Sequence, residues 1–236
     1  MSNFRNLEKL CVLVVVTFVS LVTGSYLYCQ NDQQAIIDSI RQSSVSIYYH
    51  SSKNYGSYFE DSRRQNYLTY GSGVVVASDS TSTFILTNYH VVANGYKFRI
   101  KDYEGSYHNG AKVAFDRVKD LALLKITEAK VGRPVELVQM NVGLSVGDHL
   151  FSIGNPKGYS GTFVQGYISA LGRNTKDLKN LIQLDMSLEE GSSGSGVFNS
   201  EGKLVGLVVG VDGKIGLAIG LQDIQNFLRQ NEERLR

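Results

Sequence analysis

The chain has 236 residues, of which 42% are hydrophobic and 19% charged, a composition typical of one globular unit or two small lobes. Its formal net charge is +2 and its basic residues are scattered, which excludes a strongly electrostatic nucleic-acid-binding protein. The two cysteines, Cys11 and Cys29, lack CxxC or Cys/His ligand spacing, and His50, His108 and His149 have no metal-ligand companions in sequence. We therefore predict no metal site and no cofactor.

The N-terminus has the pattern of a targeting segment. Arg5 and Lys9 precede an apolar block over 10–22, and Val22 and Gly24 are spaced as small residues are before a signal-peptidase cut. That block is short for a membrane span, which needs about 20 residues. We predict a signal peptide over 1–24 and export to the periplasm or the medium. An uncleaved membrane anchor through residues 10–28 is the alternative.

Strand signals dominate the rest of the chain. Isoleucines at helical spacing predict one short helix over 31–42, and alternation predicts a half-buried strand over 45–49. A polar, tyrosine-rich loop follows over 51–70, and an amphipathic helix closes the chain over 221–236. Between them lie strand-like runs at 73–78, 83–90, 96–103, 111–117, 121–127, 148–154, 161–171, 181–187, 204–211 and 216–220. So many short strands with almost no internal helix indicate an all-β sandwich or a pair of barrels.

Three residues together could activate a nucleophile. His90 ends the apolar run FILTNYH, Asp120 begins the run DLALLKI, and Ser193 lies in GSSGSG. A serine hydroxyl needs an imidazole to accept its proton, and the imidazole needs a carboxylate to fix its tautomer. Taken singly, each residue has an ordinary reading as a solvated histidine, a turn aspartate or a flexible Ser/Gly loop.

The motifs around these residues resemble the Deg/HtrA branch of the trypsin-like serine proteases. GSGVVV and FILTNYHVV (71–92) resemble the histidine segment of that family, and DLALLKI (120–126) resembles its aspartate segment. FSIGNPKG and FVQGYISALGR (151–173) resemble the strand, loop and strand that precede the nucleophile, and IQLDMSLEEGSSGSGVFN (182–199) resembles the nucleophile segment. The similarity runs from about residue 34 to 230 in the order His, Asp, Ser. It implies two six-stranded antiparallel β-barrels, roughly 44–130 and 135–220, with short N- and C-terminal helices in a protease domain over 31–236.

The resemblance implies an exported serine endopeptidase that hydrolyses polypeptides through an acyl-enzyme. His90 would be the general base and acid, Asp120 its orienting carboxylate, and Ser193 the nucleophile. Gly191 would adopt a backbone conformation that is costly for a side chain, so that the N–H groups of Gly191 and Ser193 form an oxyanion hole.

Two positions depart from the family pattern. Ser192 stands where digestive trypsins have an aspartate that pairs with a new N-terminus, so we expect no zymogen switch of that kind. The side chain of Ser195 stands where the family often has glycine, and we expect it to crowd the turn. Any control would come from order and disorder of the loops around 154–162 and 172–180.

Specificity is implied by the resemblance alone. Ser187 would lie at the bottom of the S1 pocket, and the lack of an acid there disfavours Arg or Lys at P1 and favours a medium apolar residue. Val208, Val209 and Gly210 would line the pocket and pair with an extended substrate. The pair 189–190 is acidic and either biases the rim towards basic substrates or is simply solvated.

The family resemblance also concerns assembly. The chain ends at Arg236, so we expect a stand-alone peptidase without the PDZ domain that many relatives carry. In the family the N-terminal segment and the region matching 51–70 often contribute to trimer contacts, which is compatible with a homotrimer. The rival hypothesis is a catalytically silent peptide-binding or chaperone-like module on the same fold.

Overall fold

The computed structural model describes residues 32–49, 69–95, 97–127, 129–137, 143–213 and 215–235. The leader, both cysteines, His50 and almost all of the tyrosine-rich loop lie outside these ranges, so predictions on them stay predictions. The chain divides into the units 1–38 and 39–236. Among the described residues, no helix is long and apolar enough to cross a membrane.

The first barrel is a closed antiparallel sheet of six strands. The strands are β1 (Ser44–Tyr49), β2 (Thr69–Ser78), β3 (Ser82–Thr87), β4 (Lys97–Lys101), β5 (Tyr107–Asp116) and β6 (Leu121–Thr127). Neighbouring strands pair in the order β1-β2-β3-β6-β5-β4, and the barrel closes where Ile47 of β1 pairs with Ile100 of β4. Inward-facing aliphatic side chains from these strands form its core, among them Ile47, Val75, Ile85, Ile100 and Leu124.

The second barrel repeats this architecture in the C-terminal half. The strands are β7 (His149–Gly154), β8 (Thr162–Arg173), β9 (Leu181–Asp185), β10 (Gly196–Phe198), β11 (Leu204–Asp212) and β12 (Ile215–Gly220). Neighbouring strands pair in the order β10-β11-β12-β9-β8-β7, and the pairing of Val197 with Ser152 joins β10 to β7 and closes the barrel. The predicted pair of six-stranded antiparallel barrels is confirmed.

Helices are few and short. Residues 32–43 are helical (α1), and α3 (Leu221–Gln230) buries Ile224 and Phe227 before a 3₁₀ turn at Glu232–Arg234. The prediction of a strand through residue 90 is wrong: β3 ends at Thr87, and Tyr89–Val92 forms one helical turn, α2. The chain turns there because Asp120, 30 positions away, accepts the backbone N–H groups of Tyr89 and His90. Local helix propensity does not reveal such a contact.

Candidate active site

His90 and Asp120 form a direct pair. Asp120 Oδ2 lies 2.6 Å from His90 Nδ1, and Asp120 Oδ1 accepts the backbone N–H of His90 at 2.8 Å. Because a carboxylate only accepts hydrogen bonds, Nδ1 of the neutral ring carries the hydrogen and Nε2 is left as the basic atom. The histidine side chain is 48% exposed and the aspartate 13% exposed, so a shielded carboxylate orients an accessible imidazole.

The backbone around Asp120 holds α2, the helical turn that carries His90 and is here called the histidine turn, in place. Asp120 has a φ of 54°, a left-handed conformation that aspartate tolerates better than most residues. Its carbonyl accepts the N–H of Tyr89 at 3.1 Å and the side-chain N–H of Asn88 at 3.1 Å. The sequence motifs did not single out Asn88, although an amide within the apolar run FILTNYHVV was an available signal.

The GSG segment of β2 brings the nucleophile segment to the histidine turn. A Cβ on Gly71 would lie 2.5 Å from Val91 Cγ1 and 3.4 Å from the carbonyl oxygen of Ser193, so only glycine lets these segments approach. The N–H of Ser72 then donates to that Ser193 carbonyl at 2.8 Å. Residues from both barrels therefore meet at one strand.

The Ser193 hydroxyl is hydrogen-bonded to a backbone carbonyl and not to the histidine. Ser193 Oγ donates to the carbonyl oxygen of Val209 at 3.2 Å, and in the described part of the chain no hydrogen bond joins it to the His90 ring. The side chain is partly exposed, and rotation about χ1 between staggered positions would redirect the hydroxyl. The structure thus pairs His90 with Asp120. It also brings the Ser193 backbone close to the histidine turn, with Gly71 between them.

Residues 190–195, here called the nucleophile turn, present two backbone donors. Lys157 N–H donates to the Glu190 carbonyl at 2.7 Å, and Ser195 N–H donates to the Ser192 carbonyl at 3.0 Å. Both peptide bonds are trans, so the N–H groups of Gly191 and Ser193 point away from these anchored carbonyls. No described residue accepts a hydrogen bond from either N–H. Two adjacent free donors are what a developing oxyanion needs.

Gly191 has the backbone conformation expected from the sequence. Its φ is 93°, and a Cβ there would lie 2.3 Å from the Asn155 carbonyl oxygen and 2.7 Å from the Tyr70 ring. Strain and lack of space both exclude a side chain at this position. The glycine is a geometric requirement of the nucleophile turn.

Ser195 stabilises the turn that it was expected to crowd. The side chain is buried, and its Oγ donates to the Ser192 carbonyl, which the Ser195 N–H also binds. The hydroxyl therefore reinforces the orientation of the 192–193 peptide. The side chain therefore has an acceptor within its own turn, and the expectation that it crowds the turn stays a prediction.

The acidic pair beside the turn meets a lysine. Lys157 Nζ lies 3.2 Å from Glu189 Oε1, with both side chains more than half exposed, so this ion pair contributes little stability. Burial, followed by the Glu190 carboxylate, raises the pKa of the Tyr70 phenol, while Lys157 opposes that effect. The motif FSIGNPKG contains Asn155 and Lys157, and the sequence alone predicts no role for either residue.

The residues expected to bind substrate lie in different environments. Ser187 is exposed, whereas Val208 packs its side chain in the second core, donates its N–H to Ser195 and accepts a hydrogen bond from Gly194 N–H. Val209 lies at a bulge of β11, and its carbonyl faces Ser193. Of the three residues expected to pair with a substrate strand, Val208 has its N–H bound to the Ser195 carbonyl. The expected pairing therefore involves the backbone of Val209 and Gly210.

The other described histidines make structural contacts. His108 Nε2 lies 2.7 Å from Asp102 Oδ2, and His149 packs against the rings of Phe151 and Tyr167. Among the described residues, no three His, Cys, Asp or Glu side chains are grouped so that they could hold a metal ion.

Comparison with known proteins gives concordant results. The trypsin-like peptidase domain family matches residues 71–207. The periplasmic serine endoprotease DegP of Salmonella typhimurium is 32% identical over 180 residues, covering 72% of this chain and 37% of that protein. The periplasmic pH-dependent serine endoprotease DegQ of Escherichia coli is 32% identical over 176 residues, with the same 72% and 37% coverage. The crystal structure of the serine endoprotease from Yersinia pestis superposes with a TM-score of 0.68 at 28% identity, covering 84% of this chain and 65% of that chain.

These results confirm the resemblance to Deg/HtrA proteases that the sequence motifs predict. The chain spans 37% of the length of the two curated relatives. The family match covers more than half of the chain, and the two closed barrels agree with the fold of the solved relative. The chain therefore belongs to the trypsin-like peptidase domain family.

Proposed function

We propose that the chain is a serine endopeptidase that cleaves polypeptides with His90, Asp120 and Ser193 as its triad. One observation carries this proposal: the 2.6 Å contact between His90 Nδ1 and Asp120 Oδ2, which leaves Nε2 as a base. The family relationship and the two free N–H groups of the nucleophile turn support the same chemistry.

The reaction follows from these groups. When the Ser193 hydroxyl rotates from Val209 towards His90, Nε2 accepts its proton as Oγ attacks the carbonyl carbon of the substrate. The carbonyl oxygen becomes an oxyanion that accepts hydrogen bonds from Gly191 N–H and Ser193 N–H. The imidazolium, stabilised by Asp120, then protonates the leaving amine. Water attacks the acyl-enzyme with the same imidazole as base, and Ser193 is regenerated.

The proposal for substrate binding rests on the bulge of β11 and on the family resemblance. Val209 and Gly210 would pair with an extended polypeptide at a bulged part of β11, and Ser187 would lie near the P1 side chain. With a neutral residue at 187, an apolar P1 residue is favoured over Arg or Lys.

We also propose that the protein is exported. The relatives are named as periplasmic proteases, and the N-terminal sequence has the pattern of a signal peptide. The alternative of an anchor through residues 10–28 and the homotrimer stay predictions.

A fluorophosphonate probe tests the proposed activity, because it reacts with an activated serine. The purified full chain should be labelled, the Ser193→Ala variant should not, and Ser200→Ala, which changes an exposed serine in a turn, should be labelled like the wild type. Wild-type cleavage of an unfolded protein such as casein would then establish endopeptidase activity. Silence of a wild-type chain that is folded by circular dichroism would contradict the proposal and favour the peptide-binding module.

A further inference from the structure

Ser72, the middle residue of the GSG segment on β2, engages every hydrogen-bonding group that it has. Its N–H donates to the Ser193 carbonyl at 2.8 Å, and its carbonyl accepts from Thr87 Oγ1 at 2.7 Å. Its hydroxyl donates to the Gly191 carbonyl at 2.8 Å and accepts the N–H of Asn155 at 2.9 Å. The residue is fully buried. A side chain of the first barrel thus bonds two backbone groups of the second barrel.

The peptide that the hydroxyl binds lies between the two free donors of the nucleophile turn. The carbonyl of the 191–192 peptide is held by Ser72 Oγ, and its N–H, on Ser192, donates to the Glu189 carbonyl at 2.9 Å. Gly191 N–H belongs to the preceding peptide, and Ser193 N–H to the following one. A rotation of the central peptide changes ψ of Gly191 and φ of Ser192, and it redirects a flanking donor whenever these two changes do not cancel.

The hydroxyl has no substitute in the described part of the chain. No other described residue donates a hydrogen bond to the Gly191 carbonyl. Glycine is the residue with the widest range of backbone conformations, so the carbonyl that follows it gains most from an external donor. Without the hydroxyl, a buried carbonyl and the buried N–H of Asn155 would both lose their partners.

We propose that Ser72 is a positioning residue of the oxyanion hole. Its hydroxyl fixes the 191–192 peptide and thereby sets the direction of the N–H groups of Gly191 and Ser193. This inference rests on the proposed function, because these N–H groups form an oxyanion hole only if Ser193 is the nucleophile. The hydroxyl touches no reacting atom and acts through the backbone of the nucleophile turn.

The test is Ser72→Ala in the full chain, assayed with a chromogenic peptide amide that the wild type cleaves and with a matching peptide boronic acid. A boronate bound to Ser193 places an oxygen in the oxyanion hole. Its inhibition constant therefore depends on how well the N–H groups of Gly191 and Ser193 are directed at that oxygen. Losing one donor in comparable enzymes lowers kcat by about 10²–10³-fold, so loosening both should lower it by roughly 10–100-fold. We expect KM to stay within about twofold and the boronate inhibition constant to rise in parallel with the fall in kcat.

Ser152→Ala is the matched control. Ser152 is also a buried serine, and its Oγ donates to the Gly196 carbonyl at 2.7 Å, outside the 190–193 peptides. This variant should lose comparable stability in urea unfolding and keep kcat and boronate affinity near the wild-type values. If Ser72→Ala does not fold, Ser72→Cys carries the same test, because a thiol keeps the shape and is a weak hydrogen-bond donor.

The outcomes separate the two proposals. A folded wild type without fluorophosphonate labelling overturns the proposed function before Ser72 is considered. An active wild type whose folded Ser72 variant keeps kcat and boronate affinity within twofold overturns the role of Ser72 and leaves the proposed function standing. Equal losses of kcat in the Ser72 and Ser152 variants also overturn it, because the effect would then be one of general stability.

Discussion

The backbone N–H of Lys157 donates a 2.7 Å hydrogen bond to the carbonyl of Glu190. This bond joins the 155–161 loop of the second barrel to the nucleophile turn and fixes which edge of the 190–191 peptide faces that loop. The opposite edge carries Gly191 N–H, so the loop and this donor of the candidate oxyanion hole are mechanically connected. The contact gives a structural basis for the prediction that the loop around 154–162 controls activity, which stays a prediction.

The bond predicts that the backbone of Lys157, and not its charge, supports activity. Lys157→Ala removes only the exposed ion pair with Glu189 and should change kcat/KM by less than about threefold. Lys157→Pro removes the N–H and cannot adopt the φ of 50°, so kcat/KM should fall by at least about tenfold. Steady-state cleavage of a peptide amide measures both variants. Equal activities of the two would show that the Glu190 carbonyl needs no anchor.

Gly191→Ala should abolish most activity in a chain that still folds. The added Cβ would meet the Asn155 carbonyl and the Tyr70 ring in a left-handed conformation, so the turn must shift. Because loss of one oxyanion donor costs about 10²–10³-fold in kcat, a loss of at least about 100-fold is expected in the peptide assay. Gly213→Ala is the control, since Gly213 also has a positive φ, 61°, but has open space around it. If the two variants were equally active, the steric requirement at Gly191 would be refuted.

Asp120→Asn should uncouple the histidine from its orienting group. An amide can donate to Nδ1 and thereby favour the wrong tautomer, so kcat should fall on the order of 10⁴-fold, as is typical of such triads. Asp116→Asn is a suitable comparison, because within the described part of the chain the Asp116 side chain accepts only the N–H groups of Val118 and Lys119 in the same turn. Burst and steady-state kinetics measure the acylation step. A fall of less than about tenfold would argue against a triad role for Asp120.

Ser187→Asp should shift cleavage towards basic P1 residues. A carboxylate at the proposed base of the pocket would pair with a P1 guanidinium, and we expect the ratio of kcat/KM for Arg over Leu substrates to rise at least about tenfold. Ser200→Asp adds the same charge at another exposed position and should leave the ratio unchanged. A peptide library varied at P1 gives the comparison. An unchanged ratio in the Ser187 variant would remove Ser187 from the specificity pocket.

Asp79 should make the β2–β3 turn sensitive to acid. The N–H of Thr81 first, then its hydroxyl and the N–H of Ser82, hold the pKa of the Asp79 carboxyl below its ordinary value of 3.8. A lowered folded pKa stabilises the fold fully above the ordinary value, and that stabilisation is lost as pH falls through the folded pKa. Urea unfolding should therefore show Asp79→Ala less stable than the wild type at pH 7, with the difference shrinking below pH 3.8. A constant difference across that range would refute the linkage.

The strands were predictable because their information is local, whereas their arrangement in two six-stranded barrels was implied by the family resemblance. Alternating apolar residues such as Val45, Ile47 and Tyr49 mark a strand, and similar runs recur along both halves of the chain. The prediction that this strand is half-buried is wrong, because Ser44 and Ser46 on its other face are buried as well. The short strand β10 (Gly196–Phe198) was not predicted as a separate element, because three residues beside a Ser/Gly stretch carry too little periodicity. The helical turn at His90 was also missed, since Asp120 binds its backbone from 30 positions away.

The sequence by itself determined the two barrels, the identity of His90, Asp120 and Ser193 as triad candidates, and the need for glycine at 191, because residue type and motif order carry that information. Only the tertiary structure decided which backbone groups of the nucleophile turn are anchored and which are free. Ser72 bonds Gly191 across 119 positions, and Lys157 bonds Glu190 from a separate loop. A hydrogen bond depends on distance and direction between groups that folding brings together, and no local pattern of residues records either.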